Sequence, residues 1–180
     1  GTYVKASTET DEQVGDRAND AIRVTGAELG AKVVGEGANL GLTQRARMEL
    51  AQRGVRLNTD FIDNSAGVNS SDYEVNIKIA LGDATQSGKL TADKRIAFLA
   101  SMTDEVAAGC LRNNRDQSLA LSLIEQTALA DMTDYGRLMK DLERRRLLDR
   151  RLEALPSDAE LARRQAAGAA LTRPELAVLL

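Results

Sequence analysis

Two stretches concentrate the residues that could do chemistry. The first is Val33-Val34-Gly35-Glu36-Gly37-Ala38-Asn39-Leu40-Gly41-Leu42-Thr43. Small residues there let a flat group approach the backbone, and Asn39 offers both an amide donor and an acceptor. The same stretch also suits an ordinary strand-to-helix turn that needs a positive φ. It is not a phosphate fingerprint, because the G-x-G-x-x-G spacing is absent. The second stretch runs from Ile62 to Glu74 and places Asn64, Ser65, Ser70 and Ser71 in one turn. Neutral hydrogen-bonding groups of this kind recognise an amide or a carboxylate better than they move protons. Turn chemistry and helix capping are the plainer use of the same residues.

Other candidates carry less. Cys110 has no histidine partner anywhere in the chain and reads as a small core residue. Asp63, Asp72 and Glu74 read as caps and surface charges rather than metal ligands, and no metal site is expected. Arg144, Arg145, Arg146, Arg150 and Arg151 alternate with Asp141, Glu143, Asp149 and Glu153, which predicts a salt-bridged helix face and not a nucleic-acid patch.

The elements that must position the two turns follow from periodicity. Short apolar runs near 2–6, 32–36 and 56–62 predict three strands. Helical spacing predicts a helix over Asp11–Leu29, and Thr43 caps another that stops at Gly54. Strand-helix alternation with short links predicts a small three-stranded parallel sheet, part of a Rossmann-like unit. The two chemical turns then emerge side by side beyond the carboxyl ends of parallel strands, where open α/β sheets bind ligands. From about Ala66 only helices are predicted: Glu74–Ala84, one capped by Thr91, Asp116–Ala130 and Tyr135–Leu155. Ser157-x-x-Glu160 and Thr172-x-x-Glu175 have the capping-box pattern and open two more. The expected fold class is therefore α/β but predominantly helical. Residues 1–85 form the α/β unit, and residues 86–180 form a helical region. Tyr3 already lies in a strand and the apolar Leu180 follows no stop signal, so we expect a chain cut from a larger protein.

Composition agrees with a helical globular chain. The 180 residues carry 24 Lys and Arg against 27 Asp and Glu, a formal charge of -3. With 43% hydrophobic but only 3% aromatic residues, the core must be built from Leu, Ile, Val and Ala. The absence of histidine removes His-dependent triads and the usual zinc sites. The mild acidity argues against nucleic-acid binding, and no apolar run reaches a membrane span. One cysteine and no secretory signal predict a cytoplasmic protein.

The two turns resemble those of the glutamate dehydrogenases. Glu36-Gly37-Ala38-Asn39 with Thr43 is similar to the family's EGAN-x-P-T-T turn. Asn64-Ser65-Ala66-Gly67-Val68 with Ser71 and Glu74 is similar to its N-A-G-G-V-x-x-S-x-x-E turn. The large bacterial NAD-specific members share further runs: Lys5 to Glu9, Val14 to Ala21, Val33 to Arg45, Asn58 to Val68, Glu74 to Lys78, and Leu171 to Leu176. The resemblance implies NAD as cofactor, with residues 1–85 as the end of its dinucleotide-binding unit, L-glutamate and 2-oxoglutarate as substrates, and oxidative deamination as the reaction of the whole protein. It implies that Asn39 and Asn64, with Gly37 and Ala38 in the turn, border the nicotinamide end of NAD. Ala6 and Ser7 would pass the nicotinamide ribose. Val68 and Ser71 would line the glutamate pocket, the Ser71 hydroxyl near the side-chain carboxylate. Gly41 stands where the family has Pro, and Leu42 where it has Thr. The family's catalytic lysine and aspartate match no residue of this chain, so upstream domains of the same protein would supply them and no catalytic residue is expected here. A homo-oligomer is expected at full length. The competing reading is a non-catalytic helical interaction or regulatory module of a larger protein.

Overall fold

The computed structural model describes residues 1–180. Its chain opens with strand β1 (Val4–Lys5), followed by a one-turn helix α1 (Asp11–Val14). Thr10 and Gln13 form a reciprocal capping box on α1, and Gly15 at φ 79° ends it. The rest of the helix expected over Asp11–Leu29 is replaced by a 3-10 segment, Arg17–Ile22, strand β2 (Val24–Thr25) and a 3-10 turn, Gly26–Glu28. Asp16, Asn19 and Asp20 bend this stretch with their own side chains: Asp16 accepts from Thr2 N–H and from Asn19, and Asp20 accepts from Arg23. The Arg23 guanidinium is sealed at 0% exposure and also reaches Asp11 at 2.8 Å.

The sheet is smaller than the three strands expected at 2–6, 32–36 and 56–62. β1 and β2 form a two-stranded parallel sheet in the register Val4–Val24 and Lys5–Thr25. On its other side β1 meets the 41–43 segment at a single parallel bridge, Val4–Leu42. The 32–36 and 56–62 runs touch only at the parallel bridge Val33–Arg56. Val33 is 70% exposed, so no packing rewards its extension. The third run gives way at Asn58-Thr59-Asp60, where α3 (Asp60–Asp63) begins with Thr59 at its N-cap. Asn, Thr and Asp favour caps over ladders. What persists is the parallel direction of each pairing.

Between these segments lies α2 (Gln44–Gln52). Thr43 caps it by accepting from Ala46 N–H at 3.0 Å, as expected, and Gly54 at φ 89° follows its end. Ala46 and Leu50, one turn apart, are fully buried with Val4, Leu42 and Leu57 in a first apolar cluster.

Everything after α3 is helical: α4 (Ser65–Gln86), α5 (Ala92–Ser101), α6 (Thr103–Thr127), α7 (Met132–Arg144), α8 (Asp158–Ala166) and α9 (Arg173–Leu179). The helix expected over Tyr135–Leu155 stops at Arg144, and Arg146 and Ala154 take positive φ in the link that follows. Leu121, Met132, Met139, Leu161 and Leu176 form a second apolar cluster, with Ile62 reaching into it from α3. α9 has the complete Thr172–Glu175 capping box, whereas Ser157 caps α8 from one side only. α4 packs on α6 through Tyr73, whose hydroxyl lies 2.8 Å from where a Cβ on Gly109 would sit. Tyr73, Ile77 and Ala80 share that face. The opposite stripe of α4, Val68, Val75 and Ile79, is more than half exposed.

Candidate functional site

The parallel bridge at Val33–Arg56 sets the geometry of both turns. The two chains leave it in the same direction, so 36–40 runs beside 60–64. Carboxylates of α3 then fasten the first turn: Asp63 accepts from Glu36 N–H at 2.9 Å, and Asp60 accepts from Leu40 N–H at 2.9 Å. The second bond supports Leu40 at φ 63°, a left-handed conformation that costs a non-glycine residue about 1–2 kcal/mol.

Beneath the turn lies a buried ion cluster. Arg47 on α2 grips Glu36 with two parallel bonds, Nε to Oε2 at 2.8 Å and Nη2 to Oε1 at 2.7 Å. Nη2 also lies 3.3 Å from Asp60. Glu36 accepts from Leu42 N–H as well, so its oxygens are well satisfied. Gly41 has a reason here: a Cβ on it would press to 3.3 Å from Glu36 Oε1. Glu36 is therefore a buttress of the turn and not a group facing a ligand. Arg47, Asp60 and Asp63 were not singled out from sequence as turn supports. Their only signal was an arginine on the apolar side of α2 and two aspartates, one inside and one just after the strand-like 56–62 run.

On top of this base the two asparagines meet. Asn64 Nδ2 donates to Asn39 Oδ1 at 3.0 Å, and Asn39 is exposed while Asn64 is half-buried. Asn64 stands at the junction of α3 and α4, and its Oδ1 overlaps the position of a Cβ on Gly67. Gly67 thus leaves the space in which the Asn64 amide lies. Behind it, Asn114 on α6 donates to Ile62 O and to Ser65 Oγ, tying the start of α4 to α6.

Val68 and Ser71 lie four and seven residues beyond Asn64, which places all three on one stripe of α4. Ser71 is well inside α4 and so is not its N-cap; with 1.5 Å of rise per residue it stands roughly 10 Å along the axis from Asn64. Ser71 is exposed, whereas the Ser70 hydroxyl bonds back to Gly67 O at 2.9 Å. Glu74 pairs with Lys78 one turn on, and that bond holds its carboxyl below the usual range.

Ala6 and Ser7 are placed differently. Ala6 is buried, and its N–H donates to Glu9 at 2.8 Å; Glu9 also accepts from Thr43 Oγ1. Ser7 donates through both N–H and hydroxyl to Glu49 on α2, at 2.6 and 2.7 Å. This turn is tied to the Thr43 end of the first stretch and makes no hydrogen bond to Asn39 or Asn64. Gly37 and Ala38 lie exposed on the turn, and a Cβ on Gly37 would meet nothing within 4 Å.

The residues present fit one end of a dinucleotide. Two amides locked together over an open glycine turn can orient a flat carboxamide ring. The cation beneath the turn, Arg47, is 5% exposed and fully engaged, so no residue there grips a pyrophosphate. No His, Cys, Asp or Glu side chains gather in a group that could hold a metal ion.

Comparisons with known proteins agree with the resemblance of the two turns. The family described as "Bacterial NAD-glutamate dehydrogenase, catalytic domain" matches residues 1–124. The whole chain is similar to curated NAD-specific glutamate dehydrogenases: 57% identical to that of Pseudomonas aeruginosa, 53% to that of Halomonas elongata and 48% to that of Mycobacterium tuberculosis. It covers 11% of the length of each of these relatives.

Proposed function

The chain belongs to the bacterial NAD-glutamate dehydrogenase family, and from that premise we propose that it forms the nicotinamide edge of an enzyme that oxidatively deaminates L-glutamate to 2-oxoglutarate and ammonia. The observation that carries this reading is the Asn39–Asn64 amide pair, held over the Glu36–Arg47–Asp60 cluster by two parallel-running turns. When bound, NAD supplies the hydride acceptor; the protein contributes orientation and electrostatics.

In this reading Asn39 and Asn64 hold the nicotinamide end, with Gly37 and Ala38 giving it room. Val68 lies against the glutamate chain, and the Ser71 hydroxyl donates to its distal carboxylate. Ala6 and Ser7 support the ribose side by the shape of their turn, since the Ala6 N–H is committed to Glu9 and both the N–H and the hydroxyl of Ser7 to Glu49. The Val4–Val24, Val4–Leu42 and Val33–Arg56 pairings, all parallel, support residues 1–85 as the end of a Rossmann-like unit, with 86–180 as a helical region. The bare Val68–Val75–Ile79 stripe supports a further domain of the same polypeptide as its cover. The proton-handling groups and the pyrophosphate grip belong to that remainder. We place the whole protein in the cytoplasm as a homo-oligomer, with no nucleic-acid partner; no helix is long and apolar enough to cross a membrane.

The test is the protein at its natural length, supplied with glutamate and NAD and followed by NADH absorbance. Activity that falls on Asn39→Ala supports the reading. Activity unchanged in Asn39→Ala and Asn64→Ala overturns it. The 180-residue chain alone should form no NADH. A purely interacting helical module would leave the natural-length protein without this activity.

A further inference from the structure

A second concave site lies away from both turns, on the far side of α2. It is a cleft of about 740 Å³ between the end of α2, the 54–57 segment, α6, α8 and the 167–173 link. Its floor is small and apolar, with Ala51, Ala167, Ala169 and Ala170 leaving the space open. Its charged walls are two Arg–Glu–Arg triads. On one wall Arg173 and Arg56 share a single carboxylate oxygen of Glu125, at 2.8 and 3.9 Å. On the other, Arg164 and Arg163 hold the two oxygens of Glu160, at 2.8 and 2.6 Å.

The two arginines of each triad are not alike. Arg164 and Arg173 are 14% and 11% exposed. Arg164 is further fixed by a bidentate bond to buried Glu175, and Arg173 by Asn58 and Ser122. These two are walls. Arg56 and Arg163 are 68% and 77% exposed. The contact of Arg56 to Glu125 is too long for a hydrogen bond, so its guanidinium fork is unused. Four arginines thus face two carboxylates in the cleft, and even with Glu175 behind Arg164 the site keeps a positive excess. Arg56 comes from the segment that carries Leu57 into the first apolar cluster, and Arg163 from the helix that carries Leu161 into the second. The open fork of Arg56 and the N–H groups that Arg163 does not give to Glu160 stand on opposite sides of the boundary between the clusters.

We propose that this cleft binds a small organic anion with two oxyanion groups or one phosphate, held between the open guanidinium fork of Arg56 and the N–H groups of Arg163 that point away from Glu160. The planar fork of arginine matches carboxylate and phosphate oxygens bidentately. The fixed Arg164 and Arg173 supply the field, and the alanine floor accommodates a short carbon chain. The site is independent of the dehydrogenase reading, since none of its residues belongs to the two turns.

The experiment is calorimetric titration of the protein at its natural length with succinate and, separately, inorganic phosphate, with sodium chloride at matched ionic strength as reference. Succinate binding alone identifies a dicarboxylate ligand, and phosphate binding alone identifies a phosphate ligand; either supports the site. Arg56→Gln and Arg163→Gln should each weaken binding about tenfold, as loss of a charge-assisted hydrogen bond does. Both positions are exposed, so the fold is preserved, which circular dichroism checks. Arg137→Gln, an exposed arginine on α7 outside the cleft, should bind as the parent does. Equal affinity in the parent and in the Arg56→Gln/Arg163→Gln double variant overturns the proposal. So does heat no larger than that of sodium chloride for both probes.

Discussion

The Asn64 side chain donates to the Asn39 side chain at 3.0 Å across 25 residues of sequence, and this bond joins the two turns into one surface. Two amides so joined act as a unit. In the natural-length protein Asn39→Ala and Asn64→Ala should each lower turnover about tenfold to a hundredfold, because small misplacements are costly for group transfer. The double variant should be little worse than the worse single. Steady-state kinetics decide: independent, multiplying losses would mean that the two amides do not share a task.

Ser71→Ala separates binding from capping. Ser71 is well inside α4, so alanine there, a better helix former, should leave the melting temperature unchanged or slightly raised. Losing one hydrogen bond of about 0.5–1.5 kcal/mol should raise the glutamate Michaelis constant roughly twofold to twelvefold. An unchanged Michaelis constant removes Ser71 from the pocket.

Gly67→Ala tests the space beneath the amide pair. The added Cβ overlaps Asn64 Oδ1, so the amide must swing away from Asn39. Turnover should fall as it does in Asn64→Ala while helix content holds, measured by kinetics and circular dichroism together. Parent-like turnover would show that Asn64 need not lie there.

Arg47→Met tests the base of the turn. It leaves Glu36, 6% exposed, and Asp60, 9% exposed, without their cation. Breaking a buried pair in this way costs about 3–5 kcal/mol, which lowers the melting temperature by roughly 10 °C. Adding Glu36→Gln should recover part of the loss. A thermal melt within a degree or two of the parent would mean that solvent already screens the cluster.

Acid should weaken the helical region through Glu160. The hydrogen bond from Arg164, with Arg163 beside it, holds this carboxyl below its usual 4.5. Because the folded value is the lower one, the stabilisation is fully present above pH 4.5 and is lost as pH falls through the depressed folded value. The stability gap between the parent and Glu160→Gln should therefore be constant near neutrality and close in acid. Denaturant melts at several pH values measure it; a gap that widens in acid would reverse the sign.

Local signals carried well from sequence to structure where one residue decides the matter. Thr43 caps α2, Gly54 ends it, and Thr172 with Glu175 opens α9, since these depend on neighbouring backbone groups alone. That the two turns run side by side was legible because parallel segments send their continuations the same way; the bond between Asn39 and Asn64 was not. The sheet was not. A β-rich run such as Val33-Val34 extends only where something covers it, and Val33 is 70% exposed. The Asp11–Leu29 helix failed for a different reason. Helical spacing of Val14, Ala18, Ala21 and Ile22 was outweighed by Gly15 and by aspartates whose carboxylates hold Thr2 N–H, Asn19 and Arg23. Arg47 was illegible because a buried arginine looks like a surface one until its two carboxylates are found.

The two apolar clusters share no buried residue, and among the ties between their elements are polar ones, Gln44 to the Pro174 carbonyl and Arg173 to Asn58. Polar ties of this kind transmit little cooperativity compared with a shared core. The calorimetric enthalpy of unfolding of this chain should then exceed its van't Hoff enthalpy, because two units melt in place of one. A mutation in one cluster, such as Leu50→Ala, should shift one part of the transition and leave the other near its original temperature. The turn at 36–40 then rides on the first unit and the turn at 60–64 on the second, so the Asn39–Asn64 bond is itself one of the ties between the two.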